Sequence, residues 1–120
     1  MTQTANDVMN TDVLVVQAHT RAGEAAGFLM EHQITGAPVV DEHGHLVGVV
    51  SLTDLSVNDA RRKDAVRELM TPTVYTVPDD TPVPEIARAM IAGRIHRLFV
   101  TRERKVVGIV TSLDLLRLLC

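Results

Sequence analysis

The residues best suited to chemistry form one short pattern that occurs twice in the chain. It reads Gly-Ile-Val-Thr-Ser-Leu-Asp over 108–114 and Gly-Val-Val-Ser-Leu-Thr-Asp over 48–54. In each copy the end of an apolar strand leads to a hydroxyl residue, Thr111 or Ser51, and an Asp follows three positions later. Backbone N–H groups at a helix start attract anions, and a carboxylate accepts hydrogen bonds from sugar hydroxyls. The pattern therefore predicts a site for a ligand that carries an anionic group and a sugar.

The same spacing also predicts a capping box. In that motif a Ser or Thr caps the helix, and the acid three residues later bonds back to the amide of the cap. The recurrence of the pattern does not decide between ligand and cap, because a duplicated structure duplicates its caps. The two roles are also compatible with each other.

The elements that must position these residues come from an internal duplication. With a shift of 61 residues, Val8-Met9 falls on Leu69-Met70 and Thr20 falls on Thr81. After the following turn the shift becomes 60, and the two Gly-to-Asp patterns coincide. The sequence therefore predicts a first repeat over 1–58, a polar linker over 59–65 and a second repeat over 66–120.

Each repeat predicts the element order β-α-β-β-α. Short β-branched runs predict strands over 13–16 and 74–77, and apolar residues spaced i, i+3, i+4 and i+7 then predict a helix. We expect Thr20 and Thr81 to cap these helices, with Pro82 in the first helical position. Two antiparallel hairpins and their closing helices complete the copies. Their strands are predicted over 34–40, 46–50, 95–101 and 106–110, and the helices begin near Thr53 and Leu113.

The composition limits the fold and the class of function. A chain of 120 residues with 46% apolar residues buries a core, but one repeat alone would bury too little surface. We expect an α/β fold of the α+β sandwich type, with the two repeats packed sheet against sheet about a pseudo-twofold axis. Phe28, Tyr75 and Phe99 are the only aromatic residues, so the core must be aliphatic. Nucleic-acid binding is not expected, because the net charge is −3 and no basic stripe is present.

Further residues argue against metal binding and catalysis. The single cysteine, Cys120, excludes an internal disulfide and fits a reducing cytoplasm. No apolar run is long enough to span a membrane. His43 and His45 flank a turn without a convergent carboxylate cluster, so polar turn residues explain them better than a metal site. No nucleophile–base pair has a recognisable spacing, so we expect a protein that is not an enzyme.

Taken in order, the two copies resemble a known family. Gly-Ala-Pro-Val-Val-Asp over 36–41 precedes the first pattern, and Ile-His-Arg-Leu-Phe-Val over 95–100 precedes the second. This order resembles the CBS domain, and the tandem pair resembles a Bateman module from about residue 7 to residue 118.

The resemblance implies a regulatory module that binds AMP, ADP, ATP or S-adenosylmethionine in clefts between the repeats. In the family the hydroxyl residue contacts phosphate and the Asp holds the ribose. Those roles carry over to Ser51 and Asp54, and to Thr111 and Asp114. The resemblance also implies a homodimer and a regulated protein, and no cofactor beyond the regulatory ligand.

Residues before each second strand are further candidates. Ile95, His96 and Arg97 lie at the cleft mouth in the family pattern, where an Arg can bind phosphate; a solvated strand end is the alternative. The first copy has Thr35 and Gly36 at the positions of His96 and Arg97. Small residues over 36–38 suit the approach of a flat base, while an edge strand that begins at Pro38 is the alternative. These three residues are Gly36, Ala37 and Pro38.

Two other functions remain open. One is a ligand-free module that uses exposed helix faces to dimerise or to bind a partner. The other is an enzyme whose site the sequence does not reveal. A homodimer is expected in part because apolar residues such as Phe28 exceed what a small monomer covers.

Overall fold

The computed structural model describes residues 3–72 and 74–120. Contacts divide this part of the chain into two compact units, Leu14–Val74 and residues 3–13 with Tyr75–Cys120. The units are therefore bounded differently from the sequence repeats, because the segment before the first strand belongs to the unit that contains the end of the chain. Across the described ranges, no helix has the length and apolar character needed to cross a membrane.

The unit Leu14–Val74 contains a three-stranded sheet in the order β1 (Val16–Gln17), β2 (Gly36–Val40) and β3 (Leu46–Ser51). β1 pairs parallel to β2, and β2 pairs antiparallel to β3, which confirms the predicted hairpin. A helix connects β1 to β2 and a single helical turn follows β3. The elements are β1 (Val16–Gln17), α2 (Ala22–Glu31), β2 (Gly36–Val40), β3 (Leu46–Ser51) and α3 (Leu52–Leu55), followed by 3-10 turns at Asp59–Arg61 and Val66–Glu68.

The second unit repeats this plan with the sheet order β4 (Thr76–Pro78), β5 (Arg97–Arg102) and β6 (Lys105–Thr111). β4 is parallel to β5, and β5 is antiparallel to β6. The mixed α/β fold predicted from the sequence is confirmed. The elements are α1 (Ala5–Val8), β4 (Thr76–Pro78), α4 (Val83–Gly93), β5 (Arg97–Arg102), β6 (Lys105–Thr111) and α5 (Ser112–Arg117).

Each unit has its own aliphatic core, as the shortage of aromatic residues predicted. The helix between the parallel strands contributes a large, completely buried side chain to each core, Leu29 in α2 and Ile86 in α4. Full burial of such a side chain contributes about 1.5–3 kcal/mol. The branched residues of the sheets supply most of the rest, namely Val39, Val50, Leu98, Val100 and Val110.

Two predicted helix caps are wrong. α2 follows Arg21 and α4 follows Pro82, and neither Thr20 nor Thr81 caps a helix with its side chain. The reason is that the first backbone amide of each helix already donates to a backbone carbonyl that is distant in sequence. Ala22 N–H donates to the Asp64 carbonyl at 2.8 Å, and Val83 N–H donates to the Gln3 carbonyl at 2.9 Å. The strands β1 and β4 also begin later than predicted, at Val16 and Thr76.

Candidate functional site

In the unit Leu14–Val74, the pattern lies where β3 passes directly into α3. Ser51 is the last residue of β3 and the N-cap of α3. Its Oγ accepts a hydrogen bond from the Asp54 amide at 3.1 Å. Asp54 Oδ2 accepts one from the Ser51 amide at 2.9 Å. The capping box that the spacing predicted is therefore formed.

The second unit contains the same arrangement between β6 and α5. Thr111 Oγ1 accepts from the Asp114 amide at 3.2 Å, and Asp114 Oδ2 accepts from the Thr111 amide at 2.9 Å. One contact differs between the units. Arg117 Nη1 donates to Asp114 Oδ1 at 3.3 Å.

Capping occupies only one oxygen of each carboxylate. Within the described ranges, Asp54 Oδ1 accepts no hydrogen bond, whereas Asp114 Oδ1 accepts the bond from Arg117. The Arg117 side chain is 68% exposed, so that bond is weakened by solvent. Because a carboxylate has about four acceptor positions, both aspartates can cap a helix and still accept bonds from a ligand.

The helix starts offer fewer backbone amides than the sequence suggested. Leu52 N–H donates to the Thr35 carbonyl at 2.9 Å, and Ser112 N–H donates to the His96 carbonyl at 2.8 Å. The capping bonds occupy the amides of Asp54 and Asp114. Among the described residues, the first-turn amides without an acceptor are therefore those of Thr53 and Leu113, one in each unit. An anion would therefore meet one such amide in each unit rather than several.

The hairpin register brings several predicted residues together. Gly36 pairs with Ser51, and the Thr35 carbonyl binds the residue after Ser51. In the other unit Arg97 pairs with Thr111, and the His96 carbonyl makes the matching bond. Each unit thus places its hydroxyl and Asp beside the residues that precede its own second strand.

The predicted ligand-binding residues Ala37 and Pro38 are less accessible than the sequence suggested. Ala37 and Pro38 are buried, and β2 is the central strand of its sheet, so the edge-strand interpretation of Pro38 is wrong. Gly36 is half-buried and offers the accessible backbone of this trio. Ile95 packs against the core of its unit, and its amide donates to the Met90 carbonyl at 3.0 Å. Ligand contact by these residues stays a prediction.

The two units differ in charge at matching positions. His96 and Arg97 are exposed, and neither forms an ion pair within residues 3–72 and 74–120. Thr35 and Gly36 supply no charge at the corresponding positions. A phosphate therefore has a guanidinium within reach in one unit and none at the equivalent place in the other.

The first glycine of each pattern has a structural role that the sequence analysis missed. A Cβ at Gly108 would lie 2.7 Å from Met9 Cγ, and one at Gly48 would lie 2.7 Å from Met70 Sδ. The strands beside these glycines form bridges to the residues that follow the methionines, Asn10 to Ile109 and Thr71 to Val49. The signal that could have revealed this was the alignment of Met9 with Met70 in the duplication.

The histidine turn forms an ordinary polar turn. Asp41 Oδ1 accepts hydrogen bonds from the amides of His43 and His45, both at 2.9 Å. The His45 amide is the main cause that lowers the pKa of the Asp41 carboxyl below its usual value. Within the described part of the chain, no group of three or more His, Cys, Asp or Glu residues could hold a metal ion.

Comparison with known proteins decides the family. The family model described as CBS domain matches residues 5–58 and 66–120. The chain belongs to the CBS domain family. A relative, the L-aspartate semialdehyde sulfurtransferase of Methanocaldococcus jannaschii, is 37% identical over 113 residues. The match covers 93% of this chain but 22% of that relative, so the chain spans less than a quarter of the relative's length.

Two solved crystal structures that resemble nearly the whole chain are complexes with adenosine-type ligands. The CBS domain pair of protein MJ0100, in complex with 5-methylthioadenosine and S-adenosyl-L-methionine, is 35% identical, with a TM-score of 0.77. The match covers 99% of this chain and 97% of that one. The cytosolic domain of the Mg²⁺ channel MgtE, in complex with ATP, is 35% identical with a TM-score of 0.85. That match covers 97% of this chain and 48% of the other.

Proposed function

We propose that this chain is a regulatory module that binds an adenosine-type ligand, with AMP, ADP, ATP and S-adenosylmethionine as the candidates. Asp54 and Asp114 accept the ribose hydroxyls, and Ser51 and Thr111 contact the phosphate or its equivalent. Ligand binding favours one arrangement of the protein through its differential affinity for that arrangement, and an unidentified regulated protein responds. The module itself catalyses nothing, holds no cofactor and acts in the cytoplasm.

The observation that carries this proposal is the carboxylate of Asp54. Its Oδ2 is fixed by the Ser51 amide, while its Oδ1 has no protein partner within residues 3–72 and 74–120. A carboxylate fixed in this way loses little conformational freedom when it accepts hydroxyl groups from a ligand. Two similar CBS proteins crystallised with ligands that contain adenosine support this ligand class.

The charge difference between the units predicts a division of ligands. Arg97 and His96 would favour a phosphate near Thr111, so ADP or ATP should bind better in the unit that contains them. The unit with Thr35 and Gly36 would suit a ligand without phosphate, such as S-adenosylmethionine. Arg97→Ala should therefore weaken ATP binding and leave S-adenosylmethionine binding nearly unchanged.

Isothermal titration calorimetry on the aspartate variants tests the proposal. Asp54→Asn and Asp114→Asn keep an amide oxygen that can accept the capping bond but remove the charge. Each should weaken adenosine-ligand binding about 10- to 100-fold at its own site, because charge-assisted bonds contribute about 1.5–3 kcal/mol. The melting temperatures should fall by much less than in Asp→Ala variants.

The chain offers a matched control for the structural cost. Asp7 Oδ2 accepts the Thr4 amide at 2.8 Å at the start of α1, outside either pattern. Asp7→Ala should lower stability as a lost cap does and leave binding unchanged. Should the Asp54 and Asp114 variants bind every candidate as tightly as the parent while melting lower, the aspartates are caps alone and the site assignment fails.

We also propose that the protein is a homodimer, for which exposed apolar side chains give a reason. Phe28 is not one of them, because it is half-buried and its ring lies 4.4 Å from that of His32. The exposed ones include Ile91, Leu113, Leu116 and Leu119. These also favour the second candidate function, association without a ligand. Light scattering should show a dimer at micromolar concentration. The two candidate functions are separated by a different observation, since a nucleotide that co-purifies with the protein would argue for the ligand-binding module.

A further inference from the structure

The outer strands of the described sheets are β1 and β3 in one unit and β4 and β6 in the other. The chain itself covers two of them. Along β3, the amide and the carbonyl of Val49 both bond to Thr71, each at 2.9 Å. Along β6, Ile109 makes the same pair of bonds to Asn10, also at 2.9 Å. Natural proteins usually protect such edges, because an unpaired edge strand offers free backbone groups to any extended chain.

Of the two remaining outer strands, β4 is protected by a proline and β1 is not. Ala18 N–H donates to β2 at 2.8 Å, and Asp79 N–H donates to β5 at 3.1 Å. Backbone groups alternate in direction along a strand, so the preceding residues, Gln17 and Pro78, direct their nitrogens away from the sheet. These two residues correspond under the shift of 61. Pro78 has no N–H to offer, whereas the Gln17 amide is a donor without an acceptor among the described residues.

A pocket of about 260 Å³ lies beside this open edge, between β1 and α2. We name it the β1 pocket. Val15 and Val16 line its strand side, and Ala25 and Phe28 line its helix side. The Phe28 ring lies 4.4 Å from that of His32, which supports its position. The volume is below the roughly 300 Å³ at which pockets for drug-sized molecules begin, so a single side chain suits it better.

The β1 pocket carries a negative charge. Glu24 is the charged residue among its described lining residues, and it has no ion-pair partner within residues 3–72 and 74–120. Glu24 and Phe28 are one turn apart on α2, so a cation bound to the carboxylate lies close to the ring. A Lys or Arg side chain has the matching chemistry, because its apolar stem can cover Phe28 while its charge pairs with Glu24.

The second repeat keeps the charge but lacks the other two features. Under the shift of 61, Glu85 corresponds to Glu24, whereas Ala89 corresponds to Phe28. The aromatic wall and the outward amide are therefore both missing beside β4. Two differences at one place in the repeat indicate that the β1 edge has a role that the fold alone does not require.

We propose that the β1 edge binds an extended segment of another protein as a fourth strand, with a Lys or Arg of that segment in the β1 pocket. Backbone bonds to Val15 and Gln17 supply affinity, and the pocket supplies selectivity. The Val15 amide, two residues before Gln17, also has no acceptor in the described ranges. A second copy of this chain is a poor occupant, because residues 11–18 around its own β1 include Asp12 and no cation. The inference stands independently of the proposed ligand and of the proposed homodimer.

NMR titration of the isotope-labelled full chain tests the proposal. The probe is the pentapeptide Thr-Val-Arg-Val-Thr, acetylated and amidated at its ends. We expect saturable shifts of the Val15 and Gln17 amide resonances with a dissociation constant below about 1 mM. Hydrogen exchange of both amides should slow at least about fivefold at saturation. The same peptide with Glu in place of Arg should bind at least about fivefold more weakly, because attraction to Glu24 becomes repulsion.

Protein variants taken from the other repeat test the edge and the pocket separately. Gln17→Pro introduces the residue that the corresponding position already contains, and it should weaken binding at least about tenfold. Glu24→Lys should reverse the preference, so that the Glu peptide binds better than the Arg peptide. Glu85→Lys is the matched control, since it changes the net charge equally and should leave the preference for Arg unchanged.

Peptides N-methylated at alternate residues test strand pairing without altering the protein. One such set of residues faces β1 and the other faces solvent, so one peptide should lose binding and the other should keep it. Loss in both, retention in both, or no binding of the parent peptide at 1 mM, the limit set above, overturns the proposal. Equal binding of the Arg and Glu peptides overturns it as well. Protection of the Val15 and Gln17 amides that grows with protein concentration in the absence of peptide would assign the edge to a second copy instead.

Discussion

Gly108→Ala tests whether the first glycine of the pattern is needed for packing. An added methyl would lie 2.7 Å from Met9 Cγ and 2.9 Å from Met9 Cβ, whereas ordinary van der Waals contacts begin at 3.4 Å. Met9 or the strand must then move by at least half an ångström. Overpacking of this kind costs about 1–3 kcal/mol. Without the clash, the same substitution in a strand would stabilise the protein by about 0.5–1 kcal/mol.

The destabilisation caused by Gly48→Ala should be relieved less by truncation of the neighbouring methionine than the destabilisation caused by Gly108→Ala. There the methyl would meet Met70 Sδ at 2.7 Å and also the Thr71 carbonyl oxygen at 2.8 Å. That oxygen accepts the Val49 amide at 2.9 Å and cannot move away without breaking the bond. Truncation of Met70 therefore removes only part of the clash.

Double-mutant cycles measured by urea denaturation make the comparison. Met9→Ala should recover at least about 1 kcal/mol of the loss in Gly108→Ala, and Met70→Ala should recover less than half as much in Gly48→Ala. Gly27→Ala is the control, because a methyl there meets nothing within 4 Å and α2 should gain about 0.5–1 kcal/mol. A Gly108→Ala protein that gains stability as the control does would refute the packing argument.

Two further predictions concern backbone strain and pH. Arg94 ends α4 in the left-handed region with φ 53°, so Arg94→Gly should stabilise the protein by about 0.5–1 kcal/mol in thermal denaturation, while Arg94→Ala should not. Because the folded pKa of Asp41 lies below its usual value of 3.8, its stabilising contribution is complete above that pH and is lost as the pH falls through the folded pKa. Denaturation from pH 7 to pH 2 should therefore show Asp41→Asn less stable than the parent at neutral pH, with the difference shrinking in acid; an offset that stays constant would contradict the assignment.

Local patterns predicted the elements of the fold well. The β-branched runs, the helical spacing and the polar turns identified the two hairpins and the helices α2 and α4. They failed at Thr20 and Thr81, because the amides that these residues would have capped are bonded to carbonyls of residues distant in sequence. Gln3 and Asp64 supply those carbonyls, and no local pattern reports such proximity.

The candidate site could be predicted in its polar part but not in its packing. Ser51 with Asp54 and Thr111 with Asp114 are spaced for a capping box, and the boxes are present. The burial of Ala37 and Pro38 was not visible, because a short apolar run looks the same in a central strand as in an edge strand. Pairing partners on both sides decide that question, and these depend on tertiary structure.

Residues 3–13 belong to the unit that contains Tyr75–Cys120, and this has a consequence for how the chain folds during synthesis. Residues 3–13 are synthesised before the strand that they contact, because Ala5 is completely buried and Met9 packs against Gly108 in the unit that contains Tyr75–Cys120. At about 5–20 residues per second, the segment waits roughly 5–20 seconds for that strand to be made. The unit Leu14–Val74 is contiguous and can fold during that time. Its folding shortens the flexible loop that residues 3–13 must close to reach the strand that contains Gly108. During that interval the apolar residues of this segment lack their partner strand. A chaperone or a neighbouring nascent chain can bind them during this time.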